Sequence, residues 1–356
     1  MDGAWERTLR VCSGEAMRPA RSTAICSLVL ASAAGPLLAA GVDSPARAAT
    51  APYTFAVIGD VPYGTTAQNH FPTFISGINA DPDVAMVTHL GDIKSGSTTC
   101  DDARFTTIRN DLNLFRRPLV YTPGDNEWTD CHRADNGRYQ PLERLAKVRS
   151  VFFPVAGRTL GAAPVSVTSQ ASIGFKENVR YVSAGVSFAT LHVVGSNNDL
   201  KPWTGLGLTS ATSAQRTEQT NRMNATIANL RAAFATARSQ GLRAVVLQQQ
   251  ADMFDMTVNS PSWSNFSAFK PLVQALIDEC RTWAKPVYLF NGDSHRYRDD
   301  HPLASGSKWL AFYGVTGTAP TVRRLVVDGG DLGEKDWLKV TVNSDATLAL
   351  HRIPGV

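Results

Sequence analysis

No apolar run beyond residue 50 is long enough to span a bilayer, which excludes a membrane span in the mature chain. Nor is there an internal repeat, a low-complexity linker or a block of basic residues interleaved with aromatics. The formal net charge of +4 is small for 356 residues, so no nucleic-acid partner is indicated. Cysteine is scarce, five in all, and Cys12 and Cys26 fall in the first fifty residues. In an oxidising compartment Cys100 and Cys131 are the candidate disulfide and Cys280 a free thiol on a helix. Three reduced, buried thiols are the alternative.

What is present is an ordinary globular composition, 43% hydrophobic and 19% charged. The length allows one large domain or two modest ones, and the lack of a linker favours one. Residues 1–49 read separately. From Met17, a second candidate start, Arg18 and Arg21 precede an apolar stretch from Ala24 to Ala40, and Ala46-Arg47-Ala48 forms a small-residue cleavage pattern. Gly35-Pro36 interrupts the stretch, which is too short and Ala-rich for an anchor. The expectation is therefore a signal peptide with an upstream segment over 1–49, a single domain over 50–356, and an exported product, periplasmic or extracellular. Oligomeric state is not legible.

Five apolar runs read as buried strands: Tyr53 to Gly59, Asp83 to Gly91, Arg117 to Gly124, Leu242 to Gln250 and Pro286 to Gly292. Helical spacing lies between them. Phe71, Phe74, Ile75 and Ile78 share one face, as do Leu142, Leu145, Val148 and Val151. A long helix is expected over Ser213 to Gly241 and another over Phe266 to Ala284, starting near Lys270-Pro271. The alternation predicts an α/β fold with a largely parallel central sheet. Val179 to Val194 and Trp309 to Arg352 read instead as short antiparallel strands of a second sheet or its edge.

Parallel strands gather functional groups at their carboxyl ends. Read in order, those ends carry "GDVPYG" (Asp60), "GDIKSG" (Asp92), "GDNEW" (Asp125, Asn126, Glu127), "QQQAD" (Gln248 to Gln250, Asp252) and "GDSH" (Asp293, His295). One Gly-Asp pair is ordinary turn chemistry. A metal-capable set at every strand end points to a shared cation site.

This order of motifs resembles the calcineurin-like metallophosphoesterase family, including its purple acid phosphatase branch, from Phe55 to about Arg298. "GDSHRYR" is similar to that branch's longer last motif, with Tyr297 two residues after the histidine. The resemblance implies a four-layer αββα sandwich of two mixed β-sheets flanked by helices. It also implies hydrolysis of a small phosphate mono- or diester through a water activated by two metals. By position, the metal ligands it implies are Asp60, Asp92, Asn126, Gln250, Asp293 and His295, with Gln248 or Gln249 as alternatives to Gln250. Asp92 would bridge, Asp60 and His295 would complete one site, and Asn126, Gln250 and Asp293 the other. Glu127 and His295 are candidate acids. Arg296, Arg298, Lys94, His132 and Arg133 are candidates for holding substrate phosphate, with solvated or structural ion pairs as the alternative.

The departures set the metal. Pro62 stands where the first motif has histidine, unless Tyr63 or a water replaces it; Glu127, Gln250 and Asp293 replace three further histidines. Oxygen in place of imidazole moves preference toward Mn, Mg or Ca and away from Fe or Zn. The same losses favour a second reading, a phosphoesterase-like binding protein without turnover. A third takes Ser294 as an esterase nucleophile. His89 reads as a core histidine and Trp128 as packing.

Overall fold

The computed structural model describes residues 51–258, 260–330 and 336–355; the expected export segment lies outside the described residues. In chain order the strands are β1 (Tyr53–Ile58), β2 (Val84–His89), β3 (Leu119–Tyr121), β4 (Thr168–Gln170), β5 (Phe175–Ser183), β6 (Val186–Thr190), β7 (Ala244–Gln248), β8 (Val287–Asn291), β9 (Arg298–Asp300), β10 (Val322–Val326), β11 (Asp336–Val342) and β12 (Leu348–Pro354). They form a five-stranded sheet, β12-β11-β1-β2-β3, and a seven-stranded sheet, β4-β5-β6-β7-β8-β10-β9. The strands β1, β2 and β3 run parallel, as do β6, β7, β8 and β10, while the outer strands pair antiparallel.

Both faces of the inner strands are buried, which is why they read as unbroken apolar runs rather than alternating ones. Successive side chains point to opposite faces. Ala56 and Ile58 of β1 pack with Phe71, Phe74, Ile75 and Ile78 of the helix Gly64–Ala80, and with Phe105 and Val148 of the helices Asp102–Leu112 and Pro141–Phe152. Phe55 and Val57 point the other way, into a layer shared with Phe188, Val246 and Phe290 of the second sheet. Beyond that sheet, Val245, Leu247, Val287 and Leu289 meet Leu230 and Phe234 of the helix Ser213–Ser239 and Leu272 and Leu276 of the helix Lys270–Cys280. Three apolar layers separate four layers of secondary structure, the αββα sandwich that the resemblance implied.

Local chemistry sets the ends of these elements. The long helix is capped by Thr212, whose hydroxyl takes the Gln215 N–H while the Gln215 side chain takes the Thr212 N–H. Pro271 sits in the first turn of its helix, as expected. The Cys100–Cys131 disulfide is formed, and Cys280 is a free, half-buried thiol.

Two sequence expectations are corrected. The five apolar strands do not share one parallel sheet: three lie in the first and two in the second. Trp309 to Tyr313 is not a strand but part of the helix Lys308–Tyr313, capped by Ser307 and ended by Gly314 in a left-handed conformation. Its aromatics pack on one another and on Phe254 and Phe266, so tertiary contact overrides strand propensity. Of the remaining tail, β10 lies inside the second sheet, parallel to β8 and antiparallel to β9, while β11 and β12 form an antiparallel pair on the first. The expected antiparallel pairing before Val194 is present as β5 and β6, joined by Ala184 and Gly185, both with positive φ.

Candidate metal centre

Three Gly-Asp pairs turn the chain in one way. Asp60 after β1, Asp92 after β2 and Asp293 after β8 all have left-handed backbones, with φ of 54°, 55° and 76°, and His295 joins them at 59°. Aspartate tolerates that region better than most residues, but each such position still costs of order 1–3 kcal/mol. The glycines allow close approach: a Cβ on Gly292 would collide with the Asp60 carboxylate, and one on Gly124 with that of Asp92.

The turns from both sheets meet. Asp60, Asp92 and His295 offer ligand atoms within 4.8 Å of one another, and so do Asp92, Asp125 and Asp293. Nε2 of His295 lies 3.5 Å from Oδ1 of Asp60 and 3.4 Å from the Tyr63 hydroxyl. The Asp293 N–H donates to both Asp60 oxygens at 3.1 Å, joining the first sheet to the second.

Asp92 is the hub. Its Oδ2 accepts from the Tyr63 hydroxyl at 3.1 Å, from Nδ2 of Asn126 at 2.9 Å and from Nε2 of Gln250 at 3.2 Å. Its Oδ1 takes the Asn126 backbone N–H at 3.1 Å. Of the three glutamines, Gln250 faces the cluster. Gln248 donates to Thr88, and Gln249 to the Ala251 carbonyl. Yet the ligand set expected from sequence is altered. Oε1 of Gln250 accepts the Gly195 N–H at 2.7 Å, and a backbone N–H can only donate, so the amide orientation is set. Gln250 therefore turns nitrogen, not oxygen, toward the carboxylates; Nδ2 of Asn126 also lies against Asp92, and Asp125 supplies the third carboxylate of the second group. Asp125 had a sequence signal in its own Gly-Asp pair; aligning the next residue, Asn126, to the motif hid it.

Glu127, the candidate acid, is enclosed by the structure. It is fully buried beneath the turns, and its Oε1 accepts from the Gly124 N–H at 2.6 Å, the Tyr121 hydroxyl at 2.7 Å and the Asp92 N–H at 3.2 Å. That oxygen braces the backbone, while Oε2 is buried without a hydrogen-bond partner among the described residues. Ser294 is likewise occupied, donating to Asp252 at 2.8 Å, and Asp252 is held by buried Arg324.

The candidate phosphate-holding residues divide. A cavity of about 490 Å³ opens over Asp293 and is lined by Asp130, His132, Arg133, Ser196 and Lys201 among others. Arg133 is 43% exposed there and paired with Asp130 at 2.5 Å. His132 accepts the Gly205 N–H at 3.1 Å, and burial, reinforced by Arg133, pushes it down to about 4, so it is neutral near pH 7. Lys94 is instead buried, donating to the Ser95 carbonyl and to Asn136. Arg296 is exposed in the loop after β8 and Arg298 opens β9; neither lines this cavity. His89 is a satisfied core histidine, between the Val61 carbonyl and the Gly91 N–H.

Sequence reading missed the turn Gly195–Asp199 that closes the site. Ser196, Asn197, Asn198 and Asp199 are all left-handed, with φ between 51° and 68°. The Ser196 hydroxyl lies 3.0 Å from Asp125 and 2.8 Å from Asp130. The available signal was "GSNND" itself, since Asn and Asp enter that region more readily than other side chains.

Burial, and then Asp125, hold the Asp92 and Asp293 carboxyls well above the usual carboxylate range. Asp130 is pushed up to about 7 by burial and by Asp125, against the pull of Arg133. Burial lowers Lys94 to about 8, opposed by Glu127 and Asp130. Clustered buried carboxylates need protons or a cation to neutralise them. The donor set, carboxylate oxygen with one imidazole, fits a hard divalent ion.

No family model and no curated protein matches the chain. Among solved structures it is similar to GAP50, the anchor in the inner membrane complex of Plasmodium, with a TM-score of 0.45 and 9% identity over 86% of this chain and 90% of that one. It is also similar to purple acid phosphatase PPD1 from yellow lupin (Lupinus luteus) seeds, with a TM-score of 0.46 and 11% identity over 86% of this chain. The chain spans about half of the lupin protein, 52% of its length.

Proposed function

We propose that the chain is an exported, divalent-cation-dependent phosphoesterase acting on small phosphate mono- or diesters. The observation that carries this reading is the convergence of Asp60, Asp92, Asp125, Asp293 and His295, from two sheets, in one cluster, of which Asp293 lines the neighbouring cavity. Asp60, Asp92 and His295 would hold the cation, with Mn, Mg or Ca suited to the oxygen-rich set. A cation bound there supplies positive charge that polarises a phosphoryl oxygen and acidifies water. Arg133, at the cavity wall, is placed to orient a phosphate by paired N–H donors, exchanging them from Asp130. His132, neutral, offers hydrogen bonding without added charge. The apolar segment before residue 50 and the Cys100–Cys131 disulfide support export.

A second reading, a binding protein without turnover, is favoured by one observation. Three protein donors already occupy Oδ2 of Asp92, the oxygen expected to bridge two ions. Metal analysis of the purified protein, followed by bis-(p-nitrophenyl) phosphate turnover with Mn²⁺, Mg²⁺, Ca²⁺ or Zn²⁺, separates the two. The enzyme reading expects bound metal and turnover that Asp92→Asn abolishes. Bound metal without turnover under any of the four ions would favour the binding protein.

A further inference from the structure

We infer that Gln250 takes the place of a second cation, so that the acidic cluster holds a single divalent ion, at Asp60, Asp92 and His295. This rests on the metal-dependent reading above and specifies its stoichiometry.

The argument starts from the Gln250 amide. Nε2 lies 3.2 Å from Oδ2 of Asp92 and 3.2 Å from Oδ1 of Asp125, two of the three carboxylates in the second group. A hard cation in that group would compete for those same two carboxylates, needing an oxygen of each at roughly 2.0–2.6 Å. The amide instead presents N–H donors, whose partial positive charge satisfies both carboxylates and opposes an ion. Turning the amide over would bring its oxygen forward but leave the buried Gly195 N–H without an acceptor, at a cost of about 1–3 kcal/mol.

Gly195 has little freedom to follow. It begins the left-handed turn Gly195–Asp199, which is tied down along its length. Ser196 bonds Asp125 and Asp130, and Asn197 bonds Ser267 and the Ala268 N–H. Arg222 holds Asn198, while Thr129 and Trp203 hold Asp199. A Cβ on Gly195 would also run into Asp125 and Asp293, so the turn presses directly on the second group. The first group differs. The Tyr63 hydroxyl, 3.4 Å from Nε2 of His295, donates to Asp92 at 3.1 Å and accepts from Nδ2 of Asn126 at 2.8 Å, while Asp60 takes the Asp293 N–H. Among the described residues, then, the neutral side-chain donors fall on Asp92 and, through Gln250, on Asp125, and the cation demand is left at Asp60 and His295.

The test is direct counting. The full protein, stripped with chelator and dialysed against Mn²⁺, is assayed for bound metal and for its electron paramagnetic resonance spectrum. One Mn²⁺ per chain with the hyperfine pattern of an isolated ion is expected. Gln250→Glu, which replaces the donor by a carboxylate, should raise the count to two and give a coupled spectrum. In the wild-type background Asp60→Asn should weaken Mn²⁺ binding at least about tenfold, while Asp125→Asn retains the ion; this pair decides the matter if the Gln250 variant does not fold. Two ions in the wild type, falling to one in Gln250→Ala, would overturn the inference and leave the phosphoesterase reading standing. Loss of the ion in Asp125→Asn but not in Asp60→Asn would also overturn it. No Mn²⁺ bound by the wild type would remove the metal-dependent reading and the inference together.

Discussion

Glu127 shows how much a single side chain's role depends on what lies around it. In sequence it sits beside the candidate ligand Asn126, where an acid could reach a leaving group. In the fold it is fully buried, one oxygen taking the N–H groups of Asp92 and Gly124 and the Tyr121 hydroxyl. A carbonyl oxygen can accept those same donors, whereas a methyl group cannot. Glu127→Gln should therefore keep most activity and cation affinity and lose no more than about 1–2 kcal/mol, while Glu127→Ala should lose about 3 kcal/mol or more by orphaning buried donors. Chemical denaturation of both variants with Mn²⁺ titrations checks this. Activity abolished in the Gln variant, with its fold intact, would return Glu127 to the role of proton donor.

At the level of elements, the strand ends were legible and the connections between them were not. The Gly-Asp pairs mark where apolar strands stop, because both residues suit a tight left-handed turn. The disulfide adds a constraint across two of these turns, linking the loop after Asp92 to the short helix that follows Asn126. Replacing Cys100 and Cys131 together by serine should cost about 3 kcal/mol by releasing a closed loop. Because both loops carry cluster residues, it should also weaken Mn²⁺ binding. Thermal denaturation and calorimetric titration of the double variant test the two effects separately; unchanged cation affinity would mean that the turns hold their shape without the bridge.

On the scale of the whole molecule, the cluster exists only where two sheets meet. Asp60 and Asp92 come from the first and Gln250, Asp293 and His295 from the second, and the apolar layer between the sheets keeps them in register. Phe55 is central to that layer, its ring edge-on to Phe188 at 5.5 Å and to Phe290 at 5.7 Å. Phe55→Ala should destabilise the protein by about 3–5 kcal/mol and lower cation affinity from a distance. The cluster's charge has a global consequence too. Asp92, Asp293 and Asp130 have folded pKa values above their unfolded ones, so the folded state binds more protons between those values. Stability of the cation-free protein must then fall as pH rises through that window. The lowered histidines, His89, His132 and His192, act in the opposite sense only between about 4 and their unfolded value of 6.5. Lys94, lowered to about 8, favours the folded state only at higher pH still. Melting in chelator should accordingly drop as pH rises from 6.5 past 7, and Mn²⁺, by neutralising Asp92 in place of a proton, should lessen the drop; Asp130 and Asp199, both pushed up to about 7, contribute a part that the ion leaves. A melting temperature that rises over that interval without metal would contradict the assignment.

The sequence by itself determined the five inner apolar strands, their polar ends, most of the longer helices and the candidate disulfide, because each follows from local periodicity, turn chemistry or simple spacing. It also supplied the carboxylates, since a metal-capable residue at the end of each of those five strands is written in the order of the chain. Only the tertiary structure decided which atoms face the site. The nitrogen of Gln250 points inward because Gly195, fifty-five residues earlier, offers its N–H to the oxygen. Glu127 lies beneath the floor rather than over it because the turns after β2 and β3 close around its carboxylate. Such orientations depend on partners distant in sequence, and no local pattern encodes them.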